Sequence, residues 1–424
     1  MLSILIIITA IVAVFFIGRK RKAVFWKYLV FVLINILLIE TFFYGYFLYL
    51  VKGKNSFFLI GHQALLDKFI KENILETLAA DERSPYSVFR LDPQLGYAPA
   101  HNKKLYQFQN LNSQGLRADR EYSLAPPEDK LRLAVFGDSF VFCDGELTQN
   151  TWAYFLEHSV KNLEVMNFGV SGYGLGQSYL RYLKDGLKFK PDIVFFNYVL
   201  LSDRDRIATR AITAGRGLRN ADLYRVRFWL DNGVVMSQSM SPVELFDEKF
   251  RKHYIYEPLG INPKDTIINR DIFSVSNIGL FIKQLLTKRR ILGSPVATDV
   301  LSPTDEAVSF KILENFLSTA ASQQTAVIFF VKQRFEQLPQ SIQTLLREHS
   351  RDVLYVNSEE TFNELFKQHH VKRQDLLNET SHFNSKGNAI YTQAVITMLM
   401  SRPWGNGERK FRFDPAQKAF VRLK

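Results

Sequence analysis

The sequence predicts an α/β fold: a three-layer domain with a parallel five-stranded sheet, preceded by two N-terminal transmembrane helices. Two uncharged apolar runs open the chain, and beyond Ser84 short β-branched or aromatic runs alternate with helical patterns. Polar, glycine-containing motifs follow those runs directly, where open α/β sheets keep their sites. With 424 residues, 47% hydrophobic and 14% aromatic, and a single Cys, the chain is not disordered, collagen-like or disulfide-stapled.

Residues 2–17 carry no charge and, as a helix, reach roughly 24 Å, slightly short of a bilayer core. Arg19, Lys20, Arg21 and Lys22 follow the run. A secretory signal places its basic residues before the apolar stretch, so this order predicts a retained helix. The second run, residues 28–51, is long enough to span and ends in Phe42, Phe43, Tyr44, Tyr46, Phe47 and Tyr49, which suit the headgroup interface. Five basic residues lie between the runs, and only Lys52 and Lys54 follow the second. The positive-inside bias therefore puts the connecting loop in the cytoplasm and the rest of the chain outside. Asn35 and Glu40 lie inside the second run; Glu40 is either a functional intramembrane carboxyl or, as the simpler reading, one that is protonated or paired with a polar group such as Thr9 of the neighbouring helix. Leu66, Phe69, Ile70, Ile74 and Leu78 then recur at helical spacing and predict an amphipathic stalk.

The strand candidates of the body are residues 131–136, 163–168, 192–199, 325–331 and 353–356, with helical patterns over 151–160, 176–187, 304–321, 339–349 and 359–369. Residues 207–302 break the alternation and read as an insertion, within which Asp231-Asn232-Gly233 signals a hairpin. The layout is a two-helix anchor (1–54), a stalk or linker (55–84), the α/β domain with its insertion (85–401) and a basic tail (402–424). In that tail Phe411 and Phe413 alternate with Lys410 and Arg412, as in an edge strand or a membrane-surface contact. The net charge of +12 sits at the ends, +6 in residues 1–54 and +5 in 402–424, leaving the body at +1. Nucleic-acid binding needs its charge on the folded face, so that class is set aside. A lone Cys143 agrees with an oxidising compartment.

Three motifs carry chemistry. The first strand runs into Gly137-Asp138-Ser139-Phe140, a serine placed at the sheet edge after a glycine turn. Val141 stands where the Gly-x-Ser-x-Gly elbow of α/β-hydrolases needs glycine. The second strand ends in Asn167-Phe168-Gly169-Val170-Ser171-Gly172-Tyr173-Gly174, a loop able to bring a backbone N–H to an oxyanion. After the last strand comes Glu379-Thr380-Ser381-His382, in which a carboxylate three residues ahead can hold the imidazole in one tautomer. His62, His101, His158, His253, His349, His369 and His370 show no ligand spacing, so no metal site is expected. Cys143, four residues after Ser139, is either pocket-lining or a small buried thiol.

These motifs together resemble the SGNH (GDSL-type) hydrolase superfamily, with a flavodoxin-like sheet. The first block matches Gly137-Asp138-Ser139-Phe140, the second-block glycine Gly172, and the final Asp-x-x-His falls on Glu379-x-x-His382. Asn112-Ser113-Gln114-Gly115-Leu116-Arg117, Glu146, Thr151-Trp152, Gly172-Tyr173-Gly174 and Gln177 are similar to a membrane-tethered bacterial branch, and the match covers roughly residues 90–400. Two positions depart from the pattern: the third-block Asn-Asp falls on Ser202-Asp203, and the triad acid is Glu. The resemblance implies a Ser139-His382-Glu379 triad, an oxyanion hole from the Ser139 and Gly172 N–H groups with Ser202, Asp138 as anchor of the turn, Asp203 near the site, and no cofactor. The implied activity is that of an esterase removing acyl or acetyl groups from a glycan or lipid at the outer side of the cytoplasmic membrane. An O-acyltransferase on the same triad and a catalytically silent binding or assembly component remain the alternatives.

Overall fold

The computed structural model describes residues 22–52, 89–105, 109–198, 226–239, 303–405 and 410–423. The first apolar run, the stalk, Ser202, Asp203 and most of the insertion lie outside the described residues. The chain divides into two units. Helix Lys22–Lys52 belongs to one, and every described residue from Phe89 onward belongs to the other.

Within that helix Trp26–Tyr46 is long and apolar enough to cross a membrane. Its large side chains, among them Phe31, Leu37 and Phe42, are exposed. The Asn35 amide donates to the Phe31 carbonyl (2.8 Å) and the Thr41 hydroxyl to that of Leu37 (2.7 Å), so two polar groups of an apolar helix are satisfied by its own backbone. Among the described residues this is the one such helix.

The body is built on five strands: β1 (Leu131–Phe136), β2 (Leu163–Asn167), β3 (Ile193–Tyr198), β4 (Ala326–Val331) and β5 (Val353–Asn357). All pairings are parallel, in the order β2-β1-β3-β4-β5. Every residue of β1 and β4 is buried, because a parallel sheet covered on both faces leaves no side for alternating polar residues; β4 is accordingly apolar throughout, and the one charged residue of β1, Arg132, is paired with Glu164 of β2 (2.7 Å). Helices α1 (Trp152–Ser159), α2 (Leu175–Arg181), α3 (Pro303–Ser322), α4 (Gln340–Glu348), α5 (Ser358–Gln368) and α6 (Ser385–Met400) make the outer layers. Phe136, Phe196 and Phe329 meet Tyr179 of α2, Phe316 of α3 and Leu345 of α4 on one face. Val135, Phe195 and Phe330 meet Trp152 of α1, Phe366 of α5 and Tyr391 of α6 on the other. Because β1 connects to β2 on one side and the chain then returns to β3 on its other side, the strand order reverses at β1, and the carboxyl edge between β1 and β3 is where such sheets open a crevice.

The Asn232-Gly233 signal is realised as a two-residue turn between Asp231 and Val234, with φ of +47° and +78°. The basic tail forms a hairpin, Phe411–Asp414 with Ala419–Arg422. Its apolar side faces inward, where Phe411 and Phe420 are fully buried beside Trp404. The Lys161 N–H donates to the Lys418 carbonyl (2.8 Å) and the Phe420 N–H to the Lys161 carbonyl (3.0 Å), so the hairpin is part of the body. Phe411→Ala should destabilise the body by about 3–5 kcal/mol, measured as a lower urea midpoint of the full chain in detergent.

Candidate active site

At the end of β1 the chain turns through Gly137, whose φ is +156°. A Cβ there would meet Val141 Cγ2 at 2.6 Å and the Asn197 carbonyl oxygen at 2.8 Å, so the turn requires glycine. The Asp138 carboxylate accepts from the Phe140 N–H (2.9 Å) and caps the one-turn helix Ser139–Phe142. Asp138 is thus the anchor of the turn, and Ser139 is the first helical residue. The helix ends at Cys143, which has a φ of +62°. That conformation sends the thiol into the core toward Asn388 Oδ1 (3.6 Å), and burial pushes it up to about 12. Cys143 therefore does not line the site.

The glycine-rich loop after β2 is clamped onto this helix. Asn167 donates through Nδ2 to the Val141 carbonyl (2.8 Å) and accepts from the Gly169 N–H (2.9 Å). Gly172 has a φ of +87°. The Ser171 hydroxyl donates to Asp144 Oδ1 (2.5 Å). Neither the Ser139 N–H nor the Gly172 N–H has a hydrogen-bond partner among the described residues.

The last loop, residues 378–382, is organised by Asn378. Its Oδ1 accepts from the Thr380 N–H (3.0 Å), the Thr380 hydroxyl (2.7 Å) and the His382 N–H (3.2 Å). Its Nδ2 donates to the Asp144 carbonyl (3.0 Å) and to Glu146 Oε1 (3.2 Å), tying the loop to the segment after the serine helix. His382 then places Nε2 2.7 Å from Ser139 Oγ and Nδ1 2.9 Å from Thr380 Oγ1, with its ring 4.9 Å from that of Phe140. The network assigns the tautomer. The Thr380 proton goes to Asn378 Oδ1, which only accepts, so Thr380 Oγ1 must accept from Nδ1–H, leaving Nε2 to accept from Ser139.

The structure thus brings Ser139 and His382 together and corrects the position of Glu379. Glu379 is exposed and makes no hydrogen bond to the ring; Thr380 holds Nδ1 instead. Asn378 Oδ1 draws in the N–H groups of 380 and 382, and Ser381 takes a φ of +63°, so position 380 rather than 379 faces the imidazole. Asp144 is a carboxyl within electrostatic reach of His382. Burial pushes it above the ordinary carboxylate range, while the Ser171 hydroxyl and the charges of His382 and Arg117 pull it down. Sequence reasoning missed Thr380, Asn378 and Asp144. The one local signal was Asn378 itself, since Asn bonds backbone N–H groups two residues on. Ser202 and Asp203 lie outside the described residues.

Among solved structures, the chain is similar to TesA (11% identity, TM-score 0.31, covering 63% of this chain and 98% of that one). It is also similar to Axe2, an acetylxylan esterase from Geobacillus stearothermophilus (13%, 0.32, 64% and 95%), and to EstA, a psychrotrophic esterase from Pseudoalteromonas sp. (9%, 0.31, 63% and 94%). No family model and no curated protein matches the chain. Likenesses at these scores leave the functional reading to the chain's own geometry.

A methyl group at Gly169 would stand 2.5 Å from the Phe142 nitrogen and 2.8 Å from the Val141 carbonyl carbon. Gly169→Ala should therefore force the two loops apart and cost about 1–3 kcal/mol, again measured by urea unfolding.

Proposed function

We propose that the chain is a membrane-anchored serine esterase of the SGNH type, acting outside the cytoplasmic membrane on ester-linked acyl or acetyl groups of a glycan or lipid. The observation that carries this reading is the 2.7 Å contact between Ser139 Oγ and His382 Nε2, made in the tautomer that leaves Nε2 free to take a proton. A serine is a weak nucleophile until such a base is in reach.

In the mechanism, Ser139 Oγ attacks the ester carbonyl and its proton passes to His382 Nε2, while Nδ1–H stays on Thr380 Oγ1. Charge develops on the carbonyl oxygen, and the Ser139 and Gly172 N–H groups, which have no partner among the described residues, are the donors proposed to meet it. Ser202 is a third donor in this proposal. The imidazolium gives its proton to the leaving alcohol, the acyl group remains on Ser139, and water activated by His382 releases it. Asp144 supplies negative charge near the imidazolium in the role that the motif would give to Glu379. The anchor rests on Trp26–Tyr46, supplemented by the first apolar run as a second span. The excess of basic residues between the runs supports a cytoplasmic loop and an external body.

Turnover of p-nitrophenyl acetate tests the reading. Ser139→Ala and His382→Ala should each abolish it without unfolding the body, and wild-type-like turnover in either overturns it. Thr380→Val, which removes the partner of Nδ1, is expected to lower kcat by about tenfold or more. Glu379→Ala is expected to stay within about twofold of wild type, because an exposed charge makes little difference at a distance. The reverse ranking would return Glu379 to the triad.

A further inference from the structure

The Ser171 carbonyl and the Gly172 N–H belong to one peptide unit, and that unit is planar, so whatever fixes the carbonyl also aims the N–H. The unit lies at the centre of a β-turn closed by the Tyr173 N–H on the Val170 carbonyl (3.0 Å). Gly172, third residue of that turn, has a φ of +87°, whereas Ser171 is not among the residues with positive φ, which makes the turn type II. Types I and II differ by a flip of this central peptide, and glycine at the third position accommodates both. A flip would replace the Gly172 N–H with the Ser171 carbonyl oxygen, turning an oxyanion donor into a repelling dipole.

One side chain holds the carbonyl end. The Tyr97 hydroxyl donates to the Ser171 carbonyl at 3.0 Å. Tyr97 is almost fully buried, with its ring between those of Phe89 (5.4 Å) and Tyr173 (5.2 Å), both edge-on. It lies on a hairpin, Phe89–Asp92 with Gly96–Pro99, that is fastened to the loop and to α2. The Tyr173 hydroxyl donates to the Tyr97 carbonyl, Gln177 Nε2 to the Leu95 carbonyl (2.8 Å), and Lys184 Nζ to both Asp92 oxygens (2.6 Å).

We propose that Tyr97 is a positioning residue for the esterase reaction: its hydroxyl selects the type II orientation of the Ser171–Gly172 peptide and so aims the Gly172 N–H at the developing oxyanion. The inference rests on the function proposed above. Tyr97 touches no reacting atom. It acts by removing the flipped state, and a hydrogen bond on the carbonyl also strengthens the N–H of the same peptide as a donor.

Tyr97→Phe keeps the ring and removes only the hydroxyl. In the full chain, kcat for p-nitrophenyl acetate should fall about tenfold, a part of the hundred- to thousandfold that one oxyanion donor supplies. KM should stay within about twofold, because the ground-state ester makes little use of that donor. Affinity for phenylboronic acid, which forms a tetrahedral anion on the serine, should fall by about the same factor as kcat. A side chain that merely stabilises the fold would lower the melting temperature and leave kcat and boronate affinity alone, and that result overturns the proposal. Gly172→Ala gives an independent route to the same state, since alanine disfavours the positive φ of the type II turn while Tyr97 is left in place. It should show the same loss in kcat and boronate affinity, and wild-type values would overturn the proposal even if Tyr97→Phe fails to fold. A wild-type chain with neither turnover nor boronate binding overturns the esterase reading and this inference together, whereas an active wild type matched by Tyr97→Phe overturns this inference alone.

Discussion

Ser139 Oγ and His382 Nε2 meet at 2.7 Å from positions 243 residues apart in the chain, and much of the body serves to hold that one contact. The serine end is fixed by β1, which is buried over its whole length, and by a turn at Gly137 that packs against the Asn197 carbonyl of β3. The histidine end is fixed by Asn378, whose single side chain gathers three donors from its own loop and reaches the Asp144 carbonyl just past the serine helix. The segment after β1 is thereby tied to the glycine-rich loop after β2, through Ser171 and Asp144, and to the histidine loop that follows α5. A proton transfer needs its two heavy atoms within hydrogen-bond reach, and a displacement of one ångström removes most of the benefit.

The partner of His382 Nδ1 divides a job that a carboxylate normally does alone. An acid in a serine triad fixes the tautomer, holds the ring and offsets the charge that the imidazole acquires; replacing it by its amide costs about 10⁴ in kcat in serine proteases, because the tautomer is wrong. Thr380 accomplishes the first two tasks because its own proton is committed to Asn378 Oδ1. It carries no charge, and in the proposed mechanism the nearby negative charge is that of Asp144, whose carboxylate accepts from the Ser171 hydroxyl on the far loop. In the proposed mechanism tautomer control and charge compensation therefore reside on different residues, and the segment that carries Asp144 also contacts the loop that carries Gly172.

The sheet was legible because its central strands are buried on both faces: residues 326–331 show as an unbroken apolar run and residues 131–136 as one interrupted only by Arg132, which pairs with Glu164 of β2, and Asn232-Gly233 favours its own turn. Ser139 and His382 were legible for a related reason, as polar residues directly after strands or before a helix cap. The exchange of Glu379 for Thr380 was not, because a three-residue spacing says which side chains are close in sequence and not which one faces the ring. That outcome depends on the Asx turn at Asn378 and on the positive φ of Ser381, in a loop that Asn378 Nδ2 ties to Asp144 and Glu146, more than 230 residues earlier. Of the two readings of Cys143, the structure bears out the small buried thiol. Its backbone N–H stays bonded to the Ser139 carbonyl, while its thiol is buried toward Asn388. The tail read as basic because Lys and Arg dominate its composition, whereas its role is set by Phe411 and Phe420 on the buried side of a hairpin.

The central claim is that His382 activates Ser139. A fluorophosphonate forms a stable adduct with a serine that a base has made nucleophilic, so treating the full chain with such a probe and mapping the adduct by mass spectrometry tests the claim directly. The account expects one adduct, on Ser139, that is absent from His382→Ala although Ser139 is still present. A folded wild-type chain that takes no label, or an adduct that persists in His382→Ala, would contradict it.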